Sequence, residues 1–313
     1  MIVLLIFFLV YMPLVVPFSL IYNMKVRRSL STISLVSHPT SGMLECNAIP
    51  IFAHEKMVLT EENALRKDLA RNTYIQQKRS NEGSLLNINY RIMPNWWLEG
   101  GTEFAHESYS NRGTSHIKNQ RTGLDDIVFT SGYDYTYKKR YGITAYGLVG
   151  VPTLRKLSQK DIYGPVLGTR LFSTGAGLEF SYLPFKSVDN TVLLLFQSRC
   201  IHFYRREWAP VFSCDELFSP GNQTDLLWAI NYKHKKMIYE FGYNITRITN
   251  QALVSPEEKI IGSSYTYNGV YAIVSRPINA SEPLLISGGS ILAHSSYLNA
   301  LRYSFFVSLA KSF

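Results

Sequence analysis

His106 and Ser108 are the residues whose types and spacing most resemble a reactive pair. Residues i and i+2 of an extended strand project from one face. There an imidazole can serve as base and a hydroxyl as nucleophile, provided a third group orients the ring. Asn119 lies at a suitable distance along the chain to be that third group, with Gln120 beside it. The chemistry would be hydrolysis of an ester. A second reading makes His106 and Ser108 plain amphipathic residues of an interfacial belt. Other chemistries find little support. The three cysteines, Cys46, Cys200 and Cys214, form no CxxC pair, and the chain carries no HExxH, Walker loop or dinucleotide fingerprint. His106 and His116 are too isolated to hold a metal, so no metal site and no cofactor are expected. Cys200 and Cys214 sit on a strand and in the loop after it, where an oxidising compartment would allow them to bridge.

The elements that must position these groups are strands. From residue 84 onward the dominant period is two. Glu99, Gly101, Glu103, Ala105 and Glu107 share one face, and Leu98, Gly100, Thr102, Phe104 and His106 share the other. Asp126, Thr130 and Asp134 alternate with Ile127, Phe129, Tyr133, Tyr135 and Tyr137. Asp225 and Asn231 oppose Leu226, Trp228 and Ile230, and Glu240 and Asn244 oppose Tyr239, Phe241 and Tyr243. Such alternation marks half-buried strands. Candidate strands cover 84–93, 97–109, 123–137, 141–152, 170–183, 191–205, 223–234, 237–249, 264–275, 284–294 and 300–313. Most exceed the roughly 5–6 residues of a soluble strand and match the roughly 9–11 of a tilted membrane strand.

The connections alternate too. Residues 93–96, 138–140 and the join near Lys235 are tight turns, while 110–122, 153–169, 206–222 and 250–263 are long polar loops. Short turns at one end and long loops at the other are the layout of an outer-membrane barrel. An even strand number requires one more strand, and 69–79 is the candidate. The expectation is an all-β, antiparallel up-and-down transmembrane barrel of about twelve strands, with ten or fourteen as alternatives.

Composition agrees. The 313 residues are 46% hydrophobic and only 18% charged, with 21 Tyr and 17 Phe, yet the mean hydropathy is −0.03. This excludes general disorder and collagenous or disulfide-scaffold classes. Alternation explains how a membrane protein can average to neutral. Tyr133, Tyr135, Tyr137, Tyr265, Tyr267 and Tyr271 are read as interfacial girdle residues. The net charge of +9 is spread over turns and loops with no basic helix, so it suits attraction to anionic lipid A or lipopolysaccharide better than nucleic acid.

Residues 1–23 form an apolar run without charge, followed by Lys25, Arg27 and Arg28, and read as an export signal or anchor. Residues 24–68 read as a periplasmic or plug-like segment. A short polar helix over 60–78 starts there, capped by Thr60 with Glu61 and Glu62 in its first turn. The barrel is then placed at 69–313, with Ser80-Asn81-Glu82-Gly83 as a turn between its first strands.

Three resemblances rest on particular residues. The last strand, with Tyr303, Phe305, Val307, Leu309 and Phe313 on one face and Phe313 at the end, resembles the C-terminal assembly signal of bacterial outer-membrane β-barrels. That resemblance implies recognition of Phe313 by the barrel-assembly machinery. Gly123-Leu124-Asp125-Asp126-Ile127, Gly132-Tyr133-Asp134-Tyr135 and Gly147-Leu148-Val149-Gly150-Val151-Pro152-Thr153 are similar to a hairpin of the MetA-pathway phenol-degradation transporter family. It implies an outer-membrane channel. The His106-Glu107-Ser108 strand resembles the H-x-S of outer-membrane phospholipase A and the lipid A deacylases. It implies a lipid hydrolase using His106, Ser108 and Asn119.

The expected function is a channel or transporter for a small hydrophobic or polar solute in the bacterial outer membrane. A lipid-modifying hydrolase and a structural or adhesive barrel are the alternatives. The expected lumen residues are Glu99, Glu103, Asp126, Asp134, Arg199, Arg205, Asp225 and Glu240, paired with one another or lining a pore. Outer-membrane lipid is the expected surrounding partner.

Overall fold

A computed structural model describes residues 42, 44–59, 75–112, 116–124, 126–153, 172–187, 189–204, 206–207, 217–219, 222–235, 237–249, 252–254, 259–261, 265–277, 284–295 and 300–312. No described residue is helical. The strands are β1 (Leu44–Leu59), β2 (Ile75–Arg91), β3 (Trp96–Arg112), β4 (His116–Leu124), β5 (Ile127–Tyr137), β6 (Tyr141–Val151), β7 (Ser173–Lys186), β8 (Asn190–Phe203), β9 (Arg206–Glu207), β10 (Leu217–Ser219), β11 (Asn222–His234), β12 (Met237–Thr249), β13 (Ala252–Val254), β14 (Lys259–Ile261), β15 (Tyr265–Pro277), β16 (Leu284–Ser295) and β17 (Ala300–Ser312).

Thirteen of them form one sheet in the order β2-β1-β17-β16-β15-β12-β11-β8-β7-β6-β5-β3-β4, and β2 pairs with β3 as well. The pairings are antiparallel, as hairpin connections require. β3 pairs with β4 along residues 104–112 and with β5 along 96–101, so β4 and β5 lie end to end against one neighbour. Leu124 and Phe129 are both exposed although their numbers differ in parity, so the exposed phase changes parity between β4 and β5. The smaller sheet, β14-β13-β10-β9, ties together the two connections that follow β8 and β12.

The two faces of the large sheet differ in chemistry. Leu86, Ile88, Phe129, Ile143, Leu178, Phe180 and Ile230 are exposed, while Asn87, Asn89, Arg91, Thr130, Glu179 and Asp225 between them are buried. Strand periodicity alone sends alternate residues to opposite sides. An outer surface this apolar across so many strands suits lipid and would aggregate in water.

The short turns are sewn to one another at one end. Met93 and Trp96 exchange backbone hydrogen bonds of 3.1 and 3.2 Å across Pro94-Asn95. The Asp134 amide donates to Asn95 O, the Leu183 amide to Arg140 O and the Lys235 amide to Asp189 O, at 2.7, 2.8 and 2.6 Å. Pro184, which has no N–H, sits where the β7–β8 register shifts between Tyr182 and Phe185.

Ten of the expected strands recur, 237–249 with the expected ends and nine with shifted ones, and the region 123–137 is divided between β4 and β5. Several expectations are corrected. The additional strand is β1 at Leu44–Leu59, which pairs with both β17 and β2; it lies inside the segment assigned to the periplasm or a plug. Pro50 and the mixed polarity of both its faces hide it, because its pairing comes from neighbours on either side and not from a pattern of its own. Residues 75–79 are the start of β2 and not a separate strand, and residues 80–83 continue it instead of turning. Of the expected helix, 60–74 lie outside the described residues and 75–78 are strand. Of the loop expected at 110–122, residues 110–112 continue β3 and residues 116–122 belong to β4, paired with it in register. Residues 1–23 and Phe313 lie outside the described residues.

Candidate channel interior

The inward residues line up across neighbouring strands. Register pairs Arg91 with Trp97, Trp97 with Gly132, Gly132 with Tyr146, Tyr146 with Gly177, Gly177 with Arg199, Arg199 with Asp225 and Asp225 with Thr246. One transverse row of side chains therefore runs across eight strands, large groups alternating with glycine over part of it.

Two charged knots anchor this row. Arg199 donates from Nε and Nη2 to Asp225 Oδ2 at 3.1 and 2.7 Å. Gln223 Nε2 donates to both Asp225 oxygens, and Thr246 Oγ1 donates to Oδ1 at 2.6 Å. Asn244 Nδ2 in turn donates to Thr246 Oγ1. Arg199 and Asp225 are only 2% and 3% exposed, so the pair is strongly coupled, with little water to screen it. In the second knot, Arg91 Nη1 lies 3.1 Å from Asp134 Oδ2 and donates to Pro94 O at 2.7 Å. Asp134 Oδ1 accepts from Trp97 Nε1 at 3.2 Å and from Thr144 Oγ1 at 2.9 Å. Asn89 Nδ2 donates to Glu99 Oε2 beside it.

Between the knots lies an apolar cluster of Trp97, Val128, Tyr146, Leu148, Ile201 and Phe203. The Trp97 and Tyr146 rings are 6.4 Å apart at 45°, and Gln197 Nε2 donates to the Tyr146 hydroxyl at 2.7 Å. Arg91 Nε and Nη2, and both side-chain polar atoms of Asn231, have no hydrogen-bond partner among the described residues although both residues are buried. Inward polar groups of this kind are satisfied by water.

Of the expected lumen residues, Glu99, Asp126, Arg199 and Asp225 are buried and Asp134 and Glu240 are half-buried; the five that lie on strands take the buried phase of those strands, and Asp126 sits just before β5. Pairing holds for Arg199 with Asp225. Asp134 and Glu99 take partners the periodicity did not name, Arg91 and Asn89. Glu103 lies on β3, with nothing described of its side chain, and Arg205 lies outside the described residues. Arg91 and Trp97 went unnoticed as interior residues. Trp97 is a large apolar residue on the phase of Glu99, against the polar pattern of that face, and Arg91 ends β2 beside a turn.

Of the expected hydrolase residues, two share a face and the third takes the other phase in the register. His106 and Ser108 share the face of Phe104, as expected, but the His106 Nδ1 is hydrogen-bonded to Thr122 Oγ1 at 2.7 Å. Asn119 takes the register position opposite Tyr109, out of phase with His106 and Ser108. Gln120, not Asn119, is paired with Ser108. Among the girdle tyrosines, Tyr133, Tyr135 and Tyr137 are exposed, but Tyr271 is buried on the inner face against Gly242. Cys200 is a free thiol on the outer face, and Cys214, the partner with which it could bridge, lies outside the described residues.

No family model matches the chain, and no curated protein matches it. Solved structures do. The chain is similar to an outer membrane channel from Pseudomonas putida F1, at 11% identity and a TM-score of 0.60, over 88% of this chain and 97% of that one. It is also similar to the transport unit of the autotransporter AIDA-I from Escherichia coli, at 10% identity and a TM-score of 0.54, over 93% and 97%. The fold is that of bacterial outer-membrane β-barrels, and the apolar outer face fits that membrane.

Proposed function

We propose that the chain is a closed twelve-stranded barrel of the bacterial outer membrane that passes small solutes through a narrow lumen. The β2–β3 pairing supports closure, since it leaves each long wall strand with two neighbours once β4 and β5 count as one position. The observation that carries the channel reading is the inner face: charged and amide side chains are paired across strands there, with polar groups left for water. Barrel interiors are polar whether open or plugged, so the weight falls on the buried polar groups that the paired charges leave over, which favour a wetted passage. The paired charges and the Trp97–Tyr146 cluster narrow the passage, so the solutes are small, polar or apolar. The C-terminal strand β17 is the part offered to the assembly machinery, and anionic outer-membrane lipid surrounds the wall.

The test has two readouts. Refolded protein is expected to migrate faster in unheated than in heated denaturing gels, as closed barrels do. In planar bilayers it is expected to give small, discrete conductance steps. Heat-modifiable migration without conductance would leave a structural barrel and sink the channel. Loss of both would sink the barrel.

A further inference from the structure

The three non-glycine residues with positive φ among the described residues are all lysines: Lys138 (50°), Lys139 (55°) and Lys235 (52°). Each stands at the tip of a short turn on the same end of the sheet. Left-handed backbone disfavours a long side chain by roughly 1–2 kcal/mol per residue, and Asn or Gly is the usual occupant of such turns. Two successive lysines followed by Arg140 are therefore not what turn formation alone would select.

The surroundings of the 138–140 turn show what three cations can serve. A cavity of about 620 Å³ is lined by Tyr137, Lys138, Arg140 and Tyr141. The Lys138 ammonium stands 5.0 Å above the Tyr137 ring, and Tyr141 stacks on Tyr182 at 5.0 Å. All these side chains except half-buried Tyr182 are exposed. Higher on the same outer wall is a second, larger cavity of about 800 Å³. Its floor is a row of small residues that pair in register, Ser131 with Gly147, Gly147 with Ala176 and Ala176 with Cys200. Tyr133 and Leu178 stand at its lower rim. Elsewhere this face carries Phe129, Phe180, Phe196 and Trp228. On strands β5 and β6 only the pair Tyr135 and Ile143 separates the lower cavity from the upper.

We infer that this wall holds one anionic glycerophospholipid, its phosphate between Lys138 and Arg140 and an acyl chain in the small-residue groove above. The spacing fits. Residues 133 to 137 span about 13 Å at a strand rise of about 3.3 Å per residue, the distance from a headgroup into the upper hydrocarbon. Cations and tyrosines at the interface, with an apolar furrow beyond, complement such a lipid in charge and in polarity. The inference rests on the membrane-spanning reading above.

Native mass spectrometry of the refolded full chain in nanodiscs tests it. Discs contain either phosphatidylglycerol or phosphatidylcholine, and heat-modifiable migration is confirmed first for every sample. One retained phosphatidylglycerol per chain is expected, with at least tenfold less phosphatidylcholine. K138N/K139G/R140Q, whose Asn-Gly suits the left-handed turn, is expected to lose that lipid at least tenfold, and G147L to lose it by filling the groove. K235G, with its cation on another turn, is expected to keep it. Equal retention of both lipids by the native chain would overturn the site. So would undiminished retention by the triple variant, or an equal loss in K235G. A chain that never becomes heat-modifiable refutes the barrel itself, which separates that failure from failure of the lipid site.

Discussion

Asp225→Ala is expected to lower the unfolding free energy of the refolded protein by about 3–5 kcal/mol, the usual cost of leaving one partner of a buried ion pair alone. Arg199 would keep its charge at 2% exposure with the carboxylate gone. Gln223 and Thr246 would lose their acceptor as well. The measurement is urea unfolding in detergent, followed by tryptophan fluorescence. The same variant is expected to shift ion selectivity toward anions, because an unpaired guanidinium then stands in the transverse row. Replacing both partners, R199M with D225L, is expected to recover part of the stability, since two apolar groups leave no charge stranded. An unchanged unfolding midpoint for Asp225→Ala would mean that water screens the pair and that the lumen is wide at this level.

How much of this was legible in the sequence follows from where the information resides. The period of two in 127–137 and 222–234 comes from one face meeting lipid and the other meeting a polar interior, so the phase of Asp134 and Asp225 is legible in the sequence, whereas that of Arg199 is not, because residues 192–196 are apolar on both faces. β1 was not legible. Its two faces are mixed and Pro50 lies within it, and it is specified by pairing on both sides, with β2 next in the chain and with β17 at the far end of it. For the same reason the partners of Asp134 and Glu99 could not be read: register is a property of two strands together. The His106–Ser108 pair shows the converse. Sharing a face was legible, but the group that meets His106 is Thr122, set by the β3–β4 register, and not the Asn119 that chain distance suggested. The loops at 206–222 and 250–263 gave no strand pattern because β10 and β13 pair over only three residues. Short pairings of that kind leave too few positions to alternate.

The glycines of the inner row carry the other large effect. A Cβ on Gly132 would overlap the indole of Trp97, and one on Gly177 would overlap the phenol ring of Tyr146. In both cases an aromatic ring from one strand lies flat over a glycine of the next, covering backbone that no side chain protects. Gly132→Ala must therefore displace Trp97, which is 1% exposed and whose Nε1 donates to Asp134. Overpacking of this kind costs about 1–3 kcal/mol, and the lost hydrogen bond to a charged group adds about 1.5–3 kcal/mol. The indole is expected to move toward lumen water, so its emission shifts to longer wavelength, and the swung ring lowers conductance. Gly147→Ala is the control. The nearest atom to its added Cβ is 3.9 Å away, so stability and emission should stay at native values. The decisive comparison is a double-mutant cycle with Trp97→Leu. If the ring over Gly132 causes the damage, Gly132→Ala costs far less once the indole is gone, and the coupling approaches the overpacking cost itself. Equal costs in both backgrounds would show that Gly132 is required for its backbone and not for the ring that covers it.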